Sequence, residues 1–540
     1  MRNRAITVIA VAGLLAAACG QGSVMGDDGS ETVGDPPAAV ETTAAAQEPA
    51  ATITAAPGSD GDDSGPAGAA TAGTYTVPDT GQDACYDETG VIACPEEGEA
   101  FYGQDGTYAS AEPSYVDNGD GTVTDLVTGL MWQQDPGDKM TWSEAATAAD
   151  SFELAGYDDW RLPTIDELYS LIDFGGTDPS ACQSADGCGS IPFIDDEVFA
   201  FVYGDTDEGE RFIDSQWATS TIYDGTTMGG AETMFGVNFA DGRIKGYPIG
   251  TAGPGGEEKE YFVIYVRAAD GVGYGENEFA DNGDGTVTDL ATLLMWQQDD
   301  SGTGMEWEEA LGHCEALDVA GYDDWRLPNA KELQDLVDYE RGPQSTGTAA
   351  IDPVFSATVI TDEGGGENWG FYWTGTTHAS MSGGSAAVYV AFGEALGFMT
   401  GPQGGDATLM DVHGAGAQRS DPKTGDASDY PTGNGPQGDV VRIDNLVRCV
   451  RGGEAAETSG TYDEAAANAS ANASEPAGGP GGAAGGPLAE AAAALGISEA
   501  ELVAAMGDPS QGPPDLEEAA RILGISVTEL EAVLPPPSDD

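Results

Sequence analysis

Histidine, cysteine and acidic side chains are the groups with which this 540-residue sequence could do chemistry. Its three histidines, His313, His378 and His413, are scattered and form no HxxxH pair, so they offer little for histidine-based catalysis or zinc binding. We find no G-x-S-x-G elbow around a nucleophilic serine and no P-loop lysine. Among the 94 acidic residues no pair stands out as the two carboxylates of a glycosidase. The sequence therefore predicts no catalytic residue.

Aspartates concentrate in one loop that occurs twice. The segment 117–125, Asp-Asn-Gly-Asp-Gly-Thr-Val-Thr-Asp, recurs letter for letter at 281–289. Carboxylates are ligands that calcium prefers, but this spacing is not that of an EF-hand loop. Asn-Gly-Asp-Gly is also what a tight turn needs without any metal. We therefore expect plain turns and no cofactor, with calcium as the alternative. The six candidate calcium ligands are Asp117, Asp120, Asp125, Asp281, Asp284 and Asp289.

The charge of the chain is strongly one-sided, because 94 acidic residues face only 18 lysines and arginines, for a formal net charge of −76. Binding of nucleic acid needs a basic stripe, which this sequence lacks, so we predict no nucleic-acid partner. The same imbalance disfavours anionic lipid and sulfated polysaccharide. Excess acid with few lysines suits a soluble surface in salty surroundings.

An internal repeat defines the folded part of the chain. Besides the aspartate loop, the segment 130–134 (Leu-Met-Trp-Gln-Gln) recurs at 294–298, and 156–163 (Gly-Tyr-Asp-Asp-Trp-Arg-Leu-Pro) recurs at 321–328. A nearly constant offset with one insertion indicates two copies of one domain, each long enough to hold its own core. We place the first copy at 75–270 and the second copy at 275–453.

Each copy begins with the same predicted strands and helices. Turn chemistry at 118–121 lies between two short strand patterns and predicts a hairpin, which a third strand with Trp132 follows. Apolar residues between Trp142 and Phe152 recur on one helical face. Thr164 followed by Glu167 is a capping-box signature for a second helix. With long Gly-rich loops and a closing apolar strand at 261–267 (447–451 in the second copy), each copy is predicted to be an α+β domain.

Six cysteines follow Cys19 and group into three pairs, Cys85 with Cys94, Cys182 with Cys188, and Cys314 with Cys449. The last pair lies near the start and the end of the second copy, and the first copy has Ala149 and Tyr265 at the aligned positions. Joint presence in one copy and joint absence in the other predict a disulfide between the helix face and the closing strand.

The repeated Asp-Asp-Trp-Arg element, residues 158–161 and 323–326, has two interpretations. Its tryptophan could stack on a sugar in a ligand pocket. The structural interpretation is stronger: the arginine is satisfied by nearby aspartates and carbonyls, while Trp160 and Trp325 fill the core before a capped helix. Trp217 and Trp373 are also predicted to be core residues, so the ligand-binding residues stay unassigned.

The N-terminus predicts export. A basic start and a short apolar run make residues 1–18 a signal peptide, too short to span a bilayer. Small residues before Cys19 resemble a bacterial lipoprotein cleavage box, so Cys19 is the predicted lipidation site and the lipid the only membrane contact. Residues 19–74 have almost no large apolar side chain and are predicted to be a disordered stalk. The protein would face the cell exterior or the periplasm.

The C-terminal part differs from the repeat. Residues 454–487 are predicted to be a flexible linker, and 488–534 to be two short helix-turn-helix repeats that form a small all-α unit. With almost no basic residues this unit should not bind DNA, and we interpret it as a partner-docking or spacing unit.

The combined motifs of both copies resemble the Lcl C-terminal domain family. These motifs are Gly-Thr-Val-Thr-Asp, Thr-Gly-Leu-Met-Trp, Trp-x-x-Ala, Asp-Trp-Arg-Leu-Pro-x-x-x-Glu-Leu and a Val-Arg-x-Val-Arg end, although the second copy has Leu293 where the family has glycine. The resemblance implies tandem C-type-lectin-like domains and glycan or matrix binding. The Trp-Arg-Leu-Pro-Thr element is also similar to one in sulfatase-modifying-factor proteins, whose oxidase chemistry depends on a reactive cysteine pair.

From these observations we expect a cell-surface lipoprotein with a noncatalytic binding or adhesion role. Its partner is expected to be carbohydrate or an envelope or matrix component, and the sequence does not predict an oligomeric state. The alternatives are a structural envelope spacer and, less favoured, an oxidoreductase like the sulfatase-modifying factors.

Overall fold

The computed structural model describes residues 73–182, 189–206, 209–251, 258–269, 272–400 and 407–452. All of them belong to one compact unit of the chain, which begins at Thr71. The predicted signal peptide, Cys19, nearly all of the stalk, the linker and the helical repeats lie outside the described residues, as does Cys188. The described residues are mostly β, with four short α-helices.

The strands of the described residues are β1 (Cys85–Tyr86), β2 (Val91–Ile92), β3 (Tyr115–Asp117), β4 (Thr122–Asp125), β5 (Leu130–Gln133), β6 (Met140–Thr141), β7 (Gln216–Ile222), β8 (Thr233–Asn238), β9 (Arg243–Pro248), β10 (Glu260–Tyr261), β11 (Val266–Ala268), β12 (Phe279–Asp281), β13 (Thr286–Asp289), β14 (Met295–Gln297), β15 (Val359–Thr361), β16 (Glu367–Trp369), β17 (Phe371–Ser380), β18 (Gly383–Ala391), β19 (Leu396–Met399), β20 (Thr408–Asp411), β21 (Gln418–Pro422) and β22 (Val450–Arg451). The helices are α1 (Trp142–Ala149), α2 (Ile165–Ser170), α3 (Trp307–Glu315) and α4 (Ala330–Asp335).

Both copies build the same four-stranded antiparallel sheet. Its order is β11-β5-β4-β3 in the first copy and β22-β14-β13-β12 in the second. The predicted hairpin is confirmed, since Tyr115 pairs with Asp125 and Asp117 with Val123. Val123 also lies opposite the buried Trp132 of β5, so the repeated motif places a tryptophan in the core of each copy.

The predicted helices are confirmed as well. Both capping boxes form, with Thr164 and Glu167 at the start of α2 and Asn329 and Glu332 at the start of α4. In each box the first side chain accepts the backbone N–H of the glutamate, whose carboxylate accepts an N–H in return. The helices begin where the sequence predicts because these bonds are local.

The closing strand of the first copy, predicted at 261–267, is interrupted. β10 pairs with β6, whereas β11 pairs with β5, so the chain leaves one sheet and joins another within a few residues. Between them, the Phe262 N–H donates to the Gln216 carbonyl and the Tyr265 N–H to the Gln133 side chain. In the second copy the strand is also shorter than predicted, because the Val447 N–H bonds to the Ser301 hydroxyl instead of a neighbouring strand.

The two copies share the largest apolar cluster of the described residues. Their three-stranded sheets, β7-β8-β9 and β17-β18-β21, meet along β9 and β21. There the Gly246 N–H donates to the His413 carbonyl, and the Ile244 N–H donates to the side-chain oxygen of Gln418. The largest apolar cluster contains buried residues of both copies, among them Trp132 and Trp296. Each copy also has a smaller buried cluster of its own, around Trp160 in the first copy and Trp307 in the second, so the shared cluster adds to the separate cores that the sequence predicts.

The disulfides Cys85–Cys94 and Cys314–Cys449 are present as predicted. The second of them joins α3 to the closing segment of the second copy. In the first copy Tyr265 takes its place: its hydroxyl donates to the Ala145 carbonyl of α1 at 2.9 Å. The pairing of Cys182 with Cys188 stays a prediction, because Cys188 lies outside the described residues.

Candidate ligand-binding groove

The repeated aspartate loops are turns closed by their own carboxylates. Asp117 accepts the Gly119 N–H, Asp120 accepts the N–H and hydroxyl of Thr122, and Asp125 accepts the two N–H groups that begin the next turn. Asp281, Asp284 and Asp289 likewise accept backbone N–H groups of their own turns. Among the described residues, no group of three or more acidic, histidine or cysteine side chains could hold a metal ion. The turn interpretation thus accounts for these carboxylates, and calcium binding stays the untested alternative.

The tryptophans of the Asp-Asp-Trp-Arg element have a structural role, as expected, because Trp160 and Trp325 are buried. The expected carbonyl partners of its arginine are present, since Arg161 donates to the Leu162 carbonyl and Arg326 to the Gly452 carbonyl, but the expected aspartate partners were wrong. Arg161 pairs with Glu167 in two bonds of 2.6 and 2.5 Å, because the capping box brings that carboxylate back beside the arginine. Asp159 instead pairs with Arg267 of β11. The remaining predicted core residues, Trp217 and Trp373, are buried too.

In the first copy this arginine borders an open groove with a volume of about 620 Å³. One wall is α1, the floor is the start of α2, and the other wall is the segment that leads into the second copy. The lining residues are Trp142, Ala146, Ala149, Asp150, Arg161, Leu162, Thr164, Asp166, Glu167, Ser220 and 272–276. A second depression of about 560 Å³ shares Thr164, Asp166, Ser220 and Gly275 with it, so the groove continues toward β7 and α4.

Acidic side chains and one arginine line the groove. Arg161 is the only basic side chain among the described residues that line it, and its side chain is 46 % exposed. The bonded Glu167 carboxylate raises the pKa of Arg161 above its usual value. Displacement of water by the surrounding protein raises the pKa of Asp166 to about 7. The Arg161 guanidinium, the Asp166 carboxyl and the hydroxyls of the groove can all hydrogen-bond a polar ligand.

Asp166 was not among the predicted site residues. It accepts a hydrogen bond from Gln334 of α4 at 2.7 Å and so lies where the two copies meet. The second copy has Lys331 at the equivalent position, where its ammonium is buried and donates to the carbonyls of Asp79 and Ser170. This difference between otherwise similar copies is the sequence signal that marks the position.

The equivalent place in the second copy is closed. A cavity of only about 10 Å³ remains beside Arg326, whose side chain is 5 % exposed. Residues 99–111, which we call the strap, fill the space. The Phe101 ring lies 6.3 Å from that of Trp307, the Tyr108 ring lies 5.5 Å from the Arg326 guanidinium, and the Tyr108 hydroxyl donates to Glu315. Among the described residues, the groove beside the repeated arginine is thus open in the first copy and filled in the second.

Comparison with known proteins identifies the repeat. The model of the Lcl C-terminal domain family matches residues 121–267 and 285–407, which together are half of the chain. No curated protein and no solved structure matches the sequence. Among the described residues, no helix has both the length and the apolar character needed to cross a membrane.

Proposed function

The chain belongs to the Lcl C-terminal domain family, in two tandem copies, and from this premise we propose that it is a noncatalytic binding or adhesion protein of the bacterial surface. Export and lipidation at Cys19 would tether it to a membrane. The stalk would then hold the folded copies away from that membrane, where they can meet external ligands.

The open groove of the first copy is the observation that carries this proposal. Its volume of about 620 Å³ falls within the ~300–1,000 Å³ of typical ligand sites. It offers donors and acceptors on several sides and a half-exposed arginine that is already held in place by Glu167. Preorganised polar groups of this kind favour binding because little side-chain entropy is lost when the ligand arrives.

The negative charge of the groove and of the whole chain limits the kinds of ligand that can bind. Four carboxylates line the groove, those of Asp150, Asp166, Glu167 and Glu276, and the whole chain carries −76. Sulfated or phosphorylated polymers would be repelled. The proposed ligand is therefore a carbohydrate or an envelope or matrix component that is not a polyanion.

The state of the cysteines supports a noncatalytic role. An oxidoreductase like the sulfatase-modifying factors needs a reactive, accessible thiol pair. Here Cys314 and Cys449 are joined in a disulfide, and both are fully buried between α3 and the closing segment. We therefore rank this activity below binding.

We also propose the C-type-lectin-like architecture for each copy. Its support is the return of the closing strand to the first sheet, where β11 pairs with β5 and β22 with β14. A structural spacer is the second candidate function. The closed site beside Arg326 favours it, because there the second copy packs against the strap and leaves only about 10 Å³.

An array of glycans and matrix proteins, probed with the mature full-length chain, tests the proposal. It should be run with and without calcium, at low and high salt. Two variants of α1 complete the design: Ala146→Gln places a longer side chain in the groove, while Thr147→Gln adds the same side chain at an exposed position outside it. We expect binding to a defined ligand class that Ala146→Gln abolishes and Thr147→Gln retains. Silence under every condition, or binding that both variants retain, would overturn the proposal.

A further inference from the structure

We infer that the open groove of the first copy is a docking site for an extended polypeptide segment of a partner protein, which binds there as the strap binds to the second copy. This inference rests on the proposed function and narrows its ligand to a peptide with two aromatic side chains. The chain itself supplies the template, since one of its two equivalent sites is already occupied by such a segment.

The two sites present equivalent groups to their occupants. Trp142, Asp150 and Arg161 line the open groove, and the repeat aligns them with Trp307, Glu315 and Arg326. Each arginine bonds to the glutamate of its capping box with similar geometry, at 2.5–2.6 Å for Arg161 and 2.6–2.7 Å for Arg326. The main difference between the two sites is thus that the strap covers one of them, whereas the aligned side chains and the arginine–glutamate pair are similar in both.

The strap contacts the covered site through groups that the open site can also receive. Phe101 packs on Trp307, and the Tyr108 ring covers Arg326 while its hydroxyl donates to Glu315. In the open groove, Trp142 offers the same apolar surface, Asp150 the same acceptor and Arg161 the same cation. An aromatic ring over a guanidinium and a phenol bonded to a carboxylate are favourable contacts at either site.

The threonine that binds the turn between Phe101 and Tyr108 also has a counterpart in the first copy. In the strap it is a short 3-10 helix, Asp105–Thr107, and the Asp105 carboxyl accepts the hydroxyls of Thr80 and Thr376. Thr376 has an equivalent in the first copy, because the Thr376 hydroxyl accepts the Ala330 N–H just as the Thr221 hydroxyl accepts the Ile165 N–H. Thr221 lines the continuation of the open groove.

The groove of the first copy is uncovered because the strap, the segment that precedes β3 of this copy in the sequence, packs on the second copy. The segment before β12 has only ten residues, 269–278, and those at 272–276 form a wall of the groove instead of filling it. Among the described residues, no segment covers Arg161 as Tyr108 covers Arg326, and the occupant that we infer is a segment of another molecule.

A synthetic peptide with the sequence of residues 99–110, labelled with a fluorophore, tests the inference by anisotropy against the mature full-length protein. The intramolecular strap keeps the second copy occupied because of its high effective concentration, so the free peptide is directed to the first copy. We expect saturable binding of one peptide per chain. Ala146→Gln in the protein, or alanine in place of Phe101 and Tyr108 in the peptide, should weaken the binding by roughly tenfold or more. Thr147→Gln should leave the affinity unchanged, and both protein variants should keep the melting temperature of the parent.

Each outcome has a defined meaning. Equal peptide affinity for Ala146→Gln and Thr147→Gln places the peptide outside the groove and refutes the inference. No peptide binding, together with a glycan signal on the array that Ala146→Gln abolishes, refutes the peptide ligand while the proposed function stands. Absence of both signals overturns both proposals.

Discussion

Replacing the arginine of the repeated element by methionine in each copy separately compares the same ion pair in two environments. In the second copy, Arg326 makes two bonds to Glu332 and one to the Gly452 carbonyl, with side-chain exposures of 5 % for Arg326 and 3 % for Glu332. Arg326→Met leaves a buried carboxylate without its cation, which costs about 3–5 kcal/mol.

In the first copy the same change is expected to cost less. Arg161 makes its two bonds to Glu167 but is 46 % exposed, so water can enter and solvate the carboxylate when the guanidinium is removed. Glu167 also keeps the N–H of Thr164 as a hydrogen-bond partner. The expected loss for Arg161→Met is about 1–2 kcal/mol, which makes the difference between the two variants about 1–4 kcal/mol.

Urea unfolding of the full-length chain, followed by circular dichroism, measures both losses, and equal m-values confirm that the same surface is exposed on unfolding. Losses that agree within about 0.5 kcal/mol, the usual error of such additive comparisons, would refute the reasoning, as would a larger loss for Arg161→Met. Either result would mean that the strap does not exclude water from the pair in the second copy.

Four further predictions follow from the fold and the site. Converting Cys314 and Cys449 together to alanine opens a link across 135 residues and should lower the unfolding free energy by up to about 5 kcal/mol in the chain-entropy model; an unchanged urea midpoint would contradict it. Leu293, exposed at φ +63°, stands where the first copy has Gly129 at φ +73°, so Leu293→Gly should stabilise by about 1 kcal/mol and Gly129→Leu should destabilise, as thermal melts will show. Burial raises the pKa of Asp166 in the folded state to about 7, so its protonated form favours the folded state. The stability of the protein should therefore fall as the pH rises from about 4 to 7. Asp166→Asn should flatten part of that slope when melting temperatures are recorded against pH. Calcium should leave the melting temperature unchanged, because the loop carboxylates already accept hydrogen bonds of their own turns, and an upward shift would revive the metal interpretation.

The features that the sequence predicts well are those that depend on neighbouring residues. The Asn-Gly-Asp-Gly turn, the capping boxes and the helix begun by Trp142 are set by groups within a few positions of one another, and each is present. The long-range link between Cys314 and Cys449 was also predictable, because comparison of the two copies showed both residues gained or lost together.

The features that sequence reasoning missed depend on distant residues. Nothing local to residues 99–111 indicates that they pack on the second copy, and the shared cluster is equally invisible in the pattern of either copy alone. The arginine partner was missed because aspartates adjoin Arg161 in sequence, whereas the capping box delivers Glu167 to it in space. The open groove also depends on these tertiary contacts. The one hint of it in the sequence is that the first copy has Asp166 where the second copy has Lys331.

The strap also has a consequence for how the chain acquires its structure. Asp105 and Thr376 are 271 residues apart, and Lys331 meets the Asp79 carbonyl across 252. Contacts of such sequence separation form slowly, because a long loop must be closed before they stabilise anything. The strap therefore lacks the surface on which it packs until the second copy has folded. We expect a chain that stops near residue 270 to leave Phe101 and Tyr108 without the partners that they have in the second copy.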